Sequence, residues 1–302
     1  MAEKVLATDS PEPADLEEAA AVFADLRPRL FGIAYRMLGS ATEAEDLVQD
    51  VWLRWQTCDR STVSNAAAYL ATATTRLAIN ATQSARVRRE TYIGPWLPEP
   101  IDTSADPHLG AERGEALGFA VLLLLERLSP NERAAYVLRE AFDYPYGQIA
   151  DILQSTEVAV RQLVSRARKH VAGERRTPVT AEEQRRLLEA FVGAARAGDL
   201  ATLEELFAAD VVSYSDGGGV AKAARFPLIG ANRVARFVTA VASWFWTGVE
   251  VDWAQQNGQA AAVLSRDGIM FGVITVDASA RGIDQLMWMM NPAKFTAVSA
   301  AG

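Results

Sequence analysis

Two short runs of helical hydrophobic period lie between Ser129 and His170, separated only by Gln154, Ser155 and Thr156. So short a connection leaves the helices little choice but to pack across a tight turn, the signature of a helix-turn-helix. If the second helix starts near Glu157, Val160, Leu163, Val164, Ala167 and Val171 share an inward face. Arg161, Gln162, Ser165, Arg166 and Lys169 then point outward. From Val158 to Gly173 there is no acidic residue, yet Arg161, Arg166, Arg168 and Lys169 all occur. A helix entering a major groove needs side chains that match base edges and cations beside them for phosphates. Arg161, Gln162 and Arg166 have the first chemistry; Ser165, Arg168 and Lys169 have the second. An ordinary helical hairpin with a solvated basic face shares this pattern, so the rest of the chain must decide.

At 302 residues, half of them hydrophobic, the chain can bury two or three cores. The longest evident apolar run, Phe119 to Leu125, stops at Glu126 and Arg127, far short of the roughly 20 residues that cross a bilayer. The N-terminus, with Glu3, Asp9 and Glu12, does not resemble a secretion signal, so the expected location is cytoplasmic with no membrane partner. Cys58 has no second cysteine to pair with and reads as a small hydrophobe; no metal-ligand spacing is recognisable. A net charge of −8 argues against bulk electrostatic grip on nucleic acid and leaves room for local grip. Cations collect at Arg86, Arg88, Arg89 and after Glu157, on an otherwise acidic body.

Residues 1–15 read as an acidic leader. Helical period runs from near Leu16 to about Glu90, with a break at Gly39 and a cap at Ser40. The helix from about Glu43 to Gln56 places Ala44, Leu47, Val48, Val51 and Trp55 at core spacing, leaving Asp46, Gln49, Asp50 and Leu53 on other faces. A third helix from about Asn65 is expected to bury Tyr69 or Leu70, Ala73 and Leu77. Pro95, Pro98, Pro100 and Pro107 forbid a continuous helix and mark a linker over 91–109. A second helical block follows over 110–176. Thr180 and Glu183 then offer a capping box for a further domain, 181–302. That domain begins with two helices and continues in β-favouring runs at Val211–Tyr214, Val249–Trp253, Ala260–Ser265, Ile269–Val276 and Leu286–Met290, an α+β pattern.

The stretch Glu43-Ala-Glu-Asp-Leu-Val-Gln-Asp-Val-Trp-Leu-Arg-Trp55 resembles the core-polymerase-binding helix of extracytoplasmic-function sigma factors. Ser129-Pro-Asn-Glu-Arg133 and Ile149-Ala-Asp-Ile-Leu153 resemble the second conserved domain of the same family. Trp96-Leu-Pro-Glu-Pro100, Asp216-Gly-Gly-Gly219 and Asn291-Pro-Ala-Lys-Phe295 narrow the resemblance to the SigJ-like group, which carries a SnoaL-like extension. The last motif departs from that group at Ala293, where an acidic residue is usual, and at Phe295, where Leu is usual.

The resemblance implies a multidomain fold: two all-α sigma domains, the second with the helix-turn-helix, then an α+β SnoaL-like (NTF2-like) cone. It implies core RNA polymerase, through its clamp and flap, and promoter DNA as partners. The first domain would dock the clamp and read the minus-ten element, and the second would read the minus-thirty-five element. Asp46, Gln49, Asp50 and Leu53, beside Trp52 and Trp55, offer an acidic, hydrogen-bonding ridge for a basic partner. Melted strands need hydrogen bonds to exposed bases and cations along the backbone. Arg76, Asn80 and Gln83 share a helix that runs into Arg86, Arg88 and Arg89; Asn80 is the expected base contact and the arginines the phosphate contacts.

Neither histidine, His108 or His170, lies in the extension, which removes the commonest proton carrier at neutral pH. Asp216, Asp252 and Asp284 read as turn or surface carboxylates, so no catalysis and no cofactor is expected. Consecutive glycines at Gly217, Gly218 and Gly219 allow close approach of a second segment, and a flexible hairpin turn is the alternative. Trp96, Leu97, Pro98, Glu99 and Pro100 form a stiff extended segment with an aromatic anchor. The expectation is that Asp216 to Gly219, with Asn291, Pro292 and Lys294, clasps that linker. Trp244, Trp246, Trp253 and Trp288 read mostly as core, and an apolar pocket in such a fold leaves a place for an unidentified small ligand. Two rival readings remain: an operator-binding regulator that works without polymerase, and a pocket enzyme tethered to a DNA-binding module.

Overall fold

The computed structural model describes residues 13–103, 118–174 and 176–295. Thus His108 and the parts of the leader, linker, second helical block and C-terminus that fall at 1–12, 104–117, 175 and 296–302 lie outside the described residues.

Three long helices open the chain: α1 (Pro13–Leu38), α2 (Ala41–Thr57) and α3 (Ala66–Glu90). Ser40 ends the break between the first two by accepting the Glu43 N–H, a cap worth about 1 kcal/mol. Asn65 caps α3 in the same way. On α2 the core spacing holds, with Ala44, Leu47, Val48, Val51 and Trp55 buried. On α3 the buried stripe is Leu70, Ala71, Thr74, Thr75, Ala78, Thr82 and Ala85, whereas Tyr69, Ala73 and Leu77 are only partly covered. Leu70, one of the expected residues, is buried, and small Ala and Thr residues rather than the larger apolar ones make up the rest of the stripe.

The second helical block comprises α4 (Phe119–Leu125), α5 (Pro130–Tyr136), α6 (Tyr146–Leu153) and α7 (Glu157–Glu174). Ser129 and Glu132 form a full capping box on α5, with Pro130 at the first turn, where its missing N–H costs nothing. The turn between α6 and α7 passes through Gln154, which adopts φ +50°. On α7, Val160, Val164, Ala167 and Val171 are buried and Leu163 partly so, as the period requires. One continuous hydrophobic core runs from Ala19 through Ala78 and on through Val121 to Val171, so the two helical blocks share a single interior.

In the extension, α8 (Ala181–Ala197), α9 (Leu200–Leu206) and α10 (Ala231–Phe245) pack on a six-stranded sheet. Its strands are β1 (Phe207–Asp216), β2 (Leu228–Ile229), β3 (Glu250–Gln256), β4 (Gln259–Arg266), β5 (Ile269–Ser279) and β6 (Gly282–Met289), in the order β2-β1-β6-β5-β4-β3. Only β1 and β6 run parallel, as a sheet assembled from hairpins and one helical crossover requires. Helix α10 was not among the sequence expectations. It occupies the stretch between the first two β-runs, and its apolar face of Val234, Ala235, Val238, Ala242 and Phe245 closes the inner side of the sheet.

Alternation along the strands divides the sheet between two cores. Ala262, Leu264, Ile274, Val276, Leu286 and Trp288 face the helices of the extension. Ala261, Val263, Val273, Met287 and Met289 face the opposite way, onto Leu97 and Phe119. With both faces covered, β5 is buried from Gly272 through Ser279. Two expectations need correction. Trp246 and Trp288 are core residues, but Trp244 and Trp253 are 56% and 36% exposed. Asp216 and Asp284 are buried rather than surface carboxylates, Asp284 because it pairs with Arg176 beside Asp210.

Candidate functional site

The second sheet face is where the extension meets the linker. Beyond a bend at Gly94, residues 95–103 form no helix and pair with the sheet at Asp102, and those from Leu97 to Ile101 are buried. The fully buried Asp216, at the end of β1, gathers the junction. One of its oxygens accepts the Leu97 N–H at 2.9 Å and the Lys294 ammonium at 2.7 Å. The other accepts the Tyr92 hydroxyl at 2.5 Å and the Gly218 N–H at 3.1 Å. Lys294 also donates to the Leu97 carbonyl, so the pair holds both polar groups of one linker residue. Burial pushes the Lys294 ammonium below its ordinary pKa, and Asp216 works against that shift. Burial, then the hydrogen bond to Asp216, pushes the Tyr92 phenol upward.

Around this node the glycine run lies close to neighbouring segments. Gly218 has φ +59°, and a Cβ there would overlap the Asn291 amide, which donates to Tyr92 at 2.8 Å. At Gly219, φ +76°, a Cβ would stand 2.9 Å from the linker side chain Ile93. The Gly217 carbonyl closes the turn by accepting from Val220 and Ala221. Asn291 caps the 3-10 turn Pro292–Lys294 that delivers Lys294. At the two departures in the last motif, Ala293 is exposed and Phe295 packs into the cluster containing Leu97.

Trp96 carries the junction onward to the first helical block. The Arg89 guanidinium lies 3.5 Å from the centre of its indole ring and the Lys294 ammonium 4.3 Å. Arg89 further pairs with Glu126 and donates to the Leu38 carbonyl. Burial, then the neighbouring Arg133 charge, pulls Arg89 down to about 9, still a cation at neutral pH. Trp96→Ala removes both ring contacts and is expected to weaken the junction by about 1–3 kcal/mol, read as faster proteolysis within the linker. Unchanged cleavage would show that the indole holds nothing together.

Glu99 ties the linker to α2. Its carboxylate accepts from Ser40 Oγ at 2.7 Å, the Ala41 N–H at 2.7 Å and the Thr42 N–H at 3.1 Å, completing the helix N-terminus. Its backbone N–H donates to the Gly39 carbonyl, and its carbonyl accepts the Tyr35 hydroxyl at 2.6 Å. Pro98 and Pro100, buried on either side, lack N–H groups and so leave no donor unpaired there.

Sequence reasoning missed a second contact. Asn257, at φ +54° in the turn between β3 and β4, exchanges hydrogen bonds with both backbone groups of Ile101 at 2.9 Å and donates to Tyr35 at 2.6 Å. Asp102 bridges Gln256 antiparallel, so the linker extends the otherwise open β3 edge of the sheet. The Asn257-Gly258 pair between two alternating runs was the available signal.

The predicted nucleic-acid faces are placed as follows. On α7, Arg161, Gln162, Ser165, Arg166, Arg168 and Lys169 are all exposed. Arg161, Arg166 and Arg168 pair with Glu157, Glu132 and Glu140, which lie before or outside the acid-free segment. On α3, Asn80, Gln83, Arg86 and Arg88 are exposed, and Arg88 pairs with Glu43. Arg76 instead donates to the carbonyls of Ile152 at 2.9 Å and Asp151 at 3.2 Å, closing the end of α6. Gln83, Arg86 and Arg89 line a cleft of about 540 Å³ whose far wall includes Leu123, Pro130 and Arg133. On α2, Asp46, Gln49, Asp50 and Leu53 are exposed in one ridge.

Residues 22–88 match sigma-70 region 2, and residues 118–171 match sigma-70 region 4. The chain is 37% identical over 236 residues to the ECF RNA polymerase sigma factor SigJ of Mycobacterium tuberculosis, covering 75% of this chain and 74% of that one. This chain belongs to the extracytoplasmic-function RNA polymerase sigma factors. A probable sigma factor of the same organism, SigI, is 30% identical over 271 residues, 88% of this chain and 91% of its own. The crystal structure of the SigJ sigma factor superposes with a TM-score of 0.74 at 31% identity, over 92% of this chain and 98% of that one. This sigma factor therefore has helical regions 2 and 4 followed by an α+β cone domain. Among the described residues no helix is long and apolar enough to cross a membrane.

Proposed function

We propose that this sigma factor brings core RNA polymerase to selected promoters while its C-terminal domain, by holding the linker, governs how the two DNA-reading regions are set. The division is residues 16–90 for region 2, 91–109 for the linker, 110–176 for region 4 and 181–302 for the regulatory cone, with no catalytic step and no cofactor assigned. Asp46, Gln49, Asp50 and Leu53 dock the polymerase clamp, and region 4 meets its flap. Asn80 takes an unstacked base of the minus-ten element, with Gln83, Arg86 and Arg88 along the strand. Arg161, Gln162 and Arg166 read the minus-thirty-five duplex, and Ser165, Arg168 and Lys169 hold its phosphates.

The observation that carries the regulatory part is the Asp216 node: one buried carboxylate of the extension binds the linker backbone at Leu97 and its own cation, Lys294. In this arrangement Arg76 and Arg89 are engaged within the protein, and regions 2 and 4 share one core. Separation of the helical blocks would free Arg76 of its bonds to the end of α6 and Arg89 of Glu126, and the clasp resists that separation.

Reconstitution of holoenzyme from core polymerase and the full chain tests the reading, with run-off transcription from a cognate promoter as readout. Failure to capture core polymerase would leave an operator-binding regulator as the better account. Leu53 is 53% exposed, so Leu53→Asp should leave folding unchanged yet reduce capture by about ten-fold or more. Equal capture would remove the ridge from the interface. Asn80→Ala should alter promoter preference at constant holoenzyme yield, and unchanged preference would take Asn80 off the base-contact face.

A further inference from the structure

On the inner side of the sheet, away from the linker, the extension holds a cavity of about 240 Å³ walled by Phe237, Val241, Trp244, Phe245, Trp288 and Met290. Its polar border is narrow, formed by Ser215, Lys222 and the backbone of the loop that follows the glycine run. Ser215 stands directly opposite Trp288 in the β1–β6 register, so both look into the same space. The Trp288 indole N–H is buried without a hydrogen-bond acceptor among the described residues.

Ser215, Lys222, Ala223 and Ala224 also border a second, more polar cavity of about 400 Å³ that opens onto the linker at Ile93 and Gly94 and contains Arg225. Among the described residues no acidic side chain lines either cavity. Neither Lys222 nor Arg225 has a carboxylate partner among the described residues. In a chain with a net charge of −8, two unneutralised cations at the mouth of an aromatic cavity form a specific electrostatic feature. Such a space, largely apolar with a few convergent polar groups, is the ordinary construction of a small-molecule site.

We infer that these adjoining cavities form one binding site for an amphiphilic organic anion, its flat or aliphatic body among Phe237, Trp244 and Trp288 and its carboxylate or sulfonate between Lys222 and Arg225. A bound head group would also border Ile93 and Gly94, so occupancy and the seating of the linker share the same loop. That last consequence rests on the regulatory reading above; the binding itself does not.

The test uses the full chain and 2-naphthoate, with methyl 2-naphthoate as the uncharged counterpart, followed by quenching of tryptophan fluorescence and by calorimetry. Saturable binding of the anion is expected, at least about ten-fold tighter than the ester, a difference of the size that a charge-assisted hydrogen bond supplies. Lys222→Met with Arg225→Met should abolish the preference for the anion while leaving the melting temperature of the free protein unchanged, because both side chains are exposed and have no carboxylate partner among the described residues. Val241→Trp, which fills the body of the cavity, should weaken both probes together. Absence of saturable binding, equal affinity for acid and ester, or binding indifferent to either variant would overturn the assignment. A positive binding result with unaltered linker proteolysis would retain the site and reject only its link to the clasp.

Discussion

Asp216→Ala is expected to lower the stability of the full chain by about 3–5 kcal/mol, the usual cost of leaving a buried charge without its partner. Lys294, with 6% of its side chain exposed, would lose its only carboxylate among the described residues and keep the Leu97 carbonyl and the faces of Trp96 and Tyr92, and the Leu97 N–H would lose its acceptor. Because the node joins linker to extension, cleavage between residues 94 and 100 should accelerate by roughly 100-fold, the factor that about 3 kcal/mol carries. Pairing Asp216→Leu with Lys294→Met removes both charges and should restore most of the stability. A loss below about 1 kcal/mol in the single variant would place the pair among exposed ion pairs and remove the clasp's main support. The same variants assayed in run-off transcription give the sign of the extension's effect.

Replacing Arg161 and Arg166 together by Ala should weaken holoenzyme binding to a cognate promoter by roughly 30-fold or more, from about 1–3 kcal/mol at each base contact. Both side chains are more than half exposed, so folding should be little altered by loss of their ion pairs to Glu157 and Glu132. Lys169→Ala behaves differently if it meets a phosphate: affinity falls on every sequence alike, and the slope of log affinity against log salt shrinks by about 1. Promoter discrimination that survives the double substitution would mean that α7 does not read bases.

Period located α2 and α7, each of which buries one regular face, and β-favouring composition located all five of the expected strand runs. Period misplaced the stripe on α3, where the buried residues are Thr74, Thr75 and Ala78 and hydropathy carries little signal. It missed α10, whose sequence of Val, Phe and Trp residues is ambiguous between helix and strand until its neighbours are known. The motif residues Asp216, Gly218 and Lys294 were legible as a contact, but not that Asp216 is wholly buried, since local sequence does not show that a distant linker covers it. Arg76 and Arg89 illustrate the same limit. Their charge pointed to phosphates, and the backbone carbonyls and aromatic ring they meet come from segments remote in the chain.

The sheet's outer face has one further consequence. Leu97 and Phe119 fill it against Ala261, Val263, Val273, Met287 and Met289, so a linker that peeled away would wet an oily surface on both partners at once. Partial detachment is therefore poorer than either extreme, and unclasping should behave as a cooperative step rather than a gradual loosening. A truncated protein ending before Pro178 would carry the uncovered Leu97 and Phe119 permanently, and its greater tendency to aggregate would reflect lost cover rather than lost regulation.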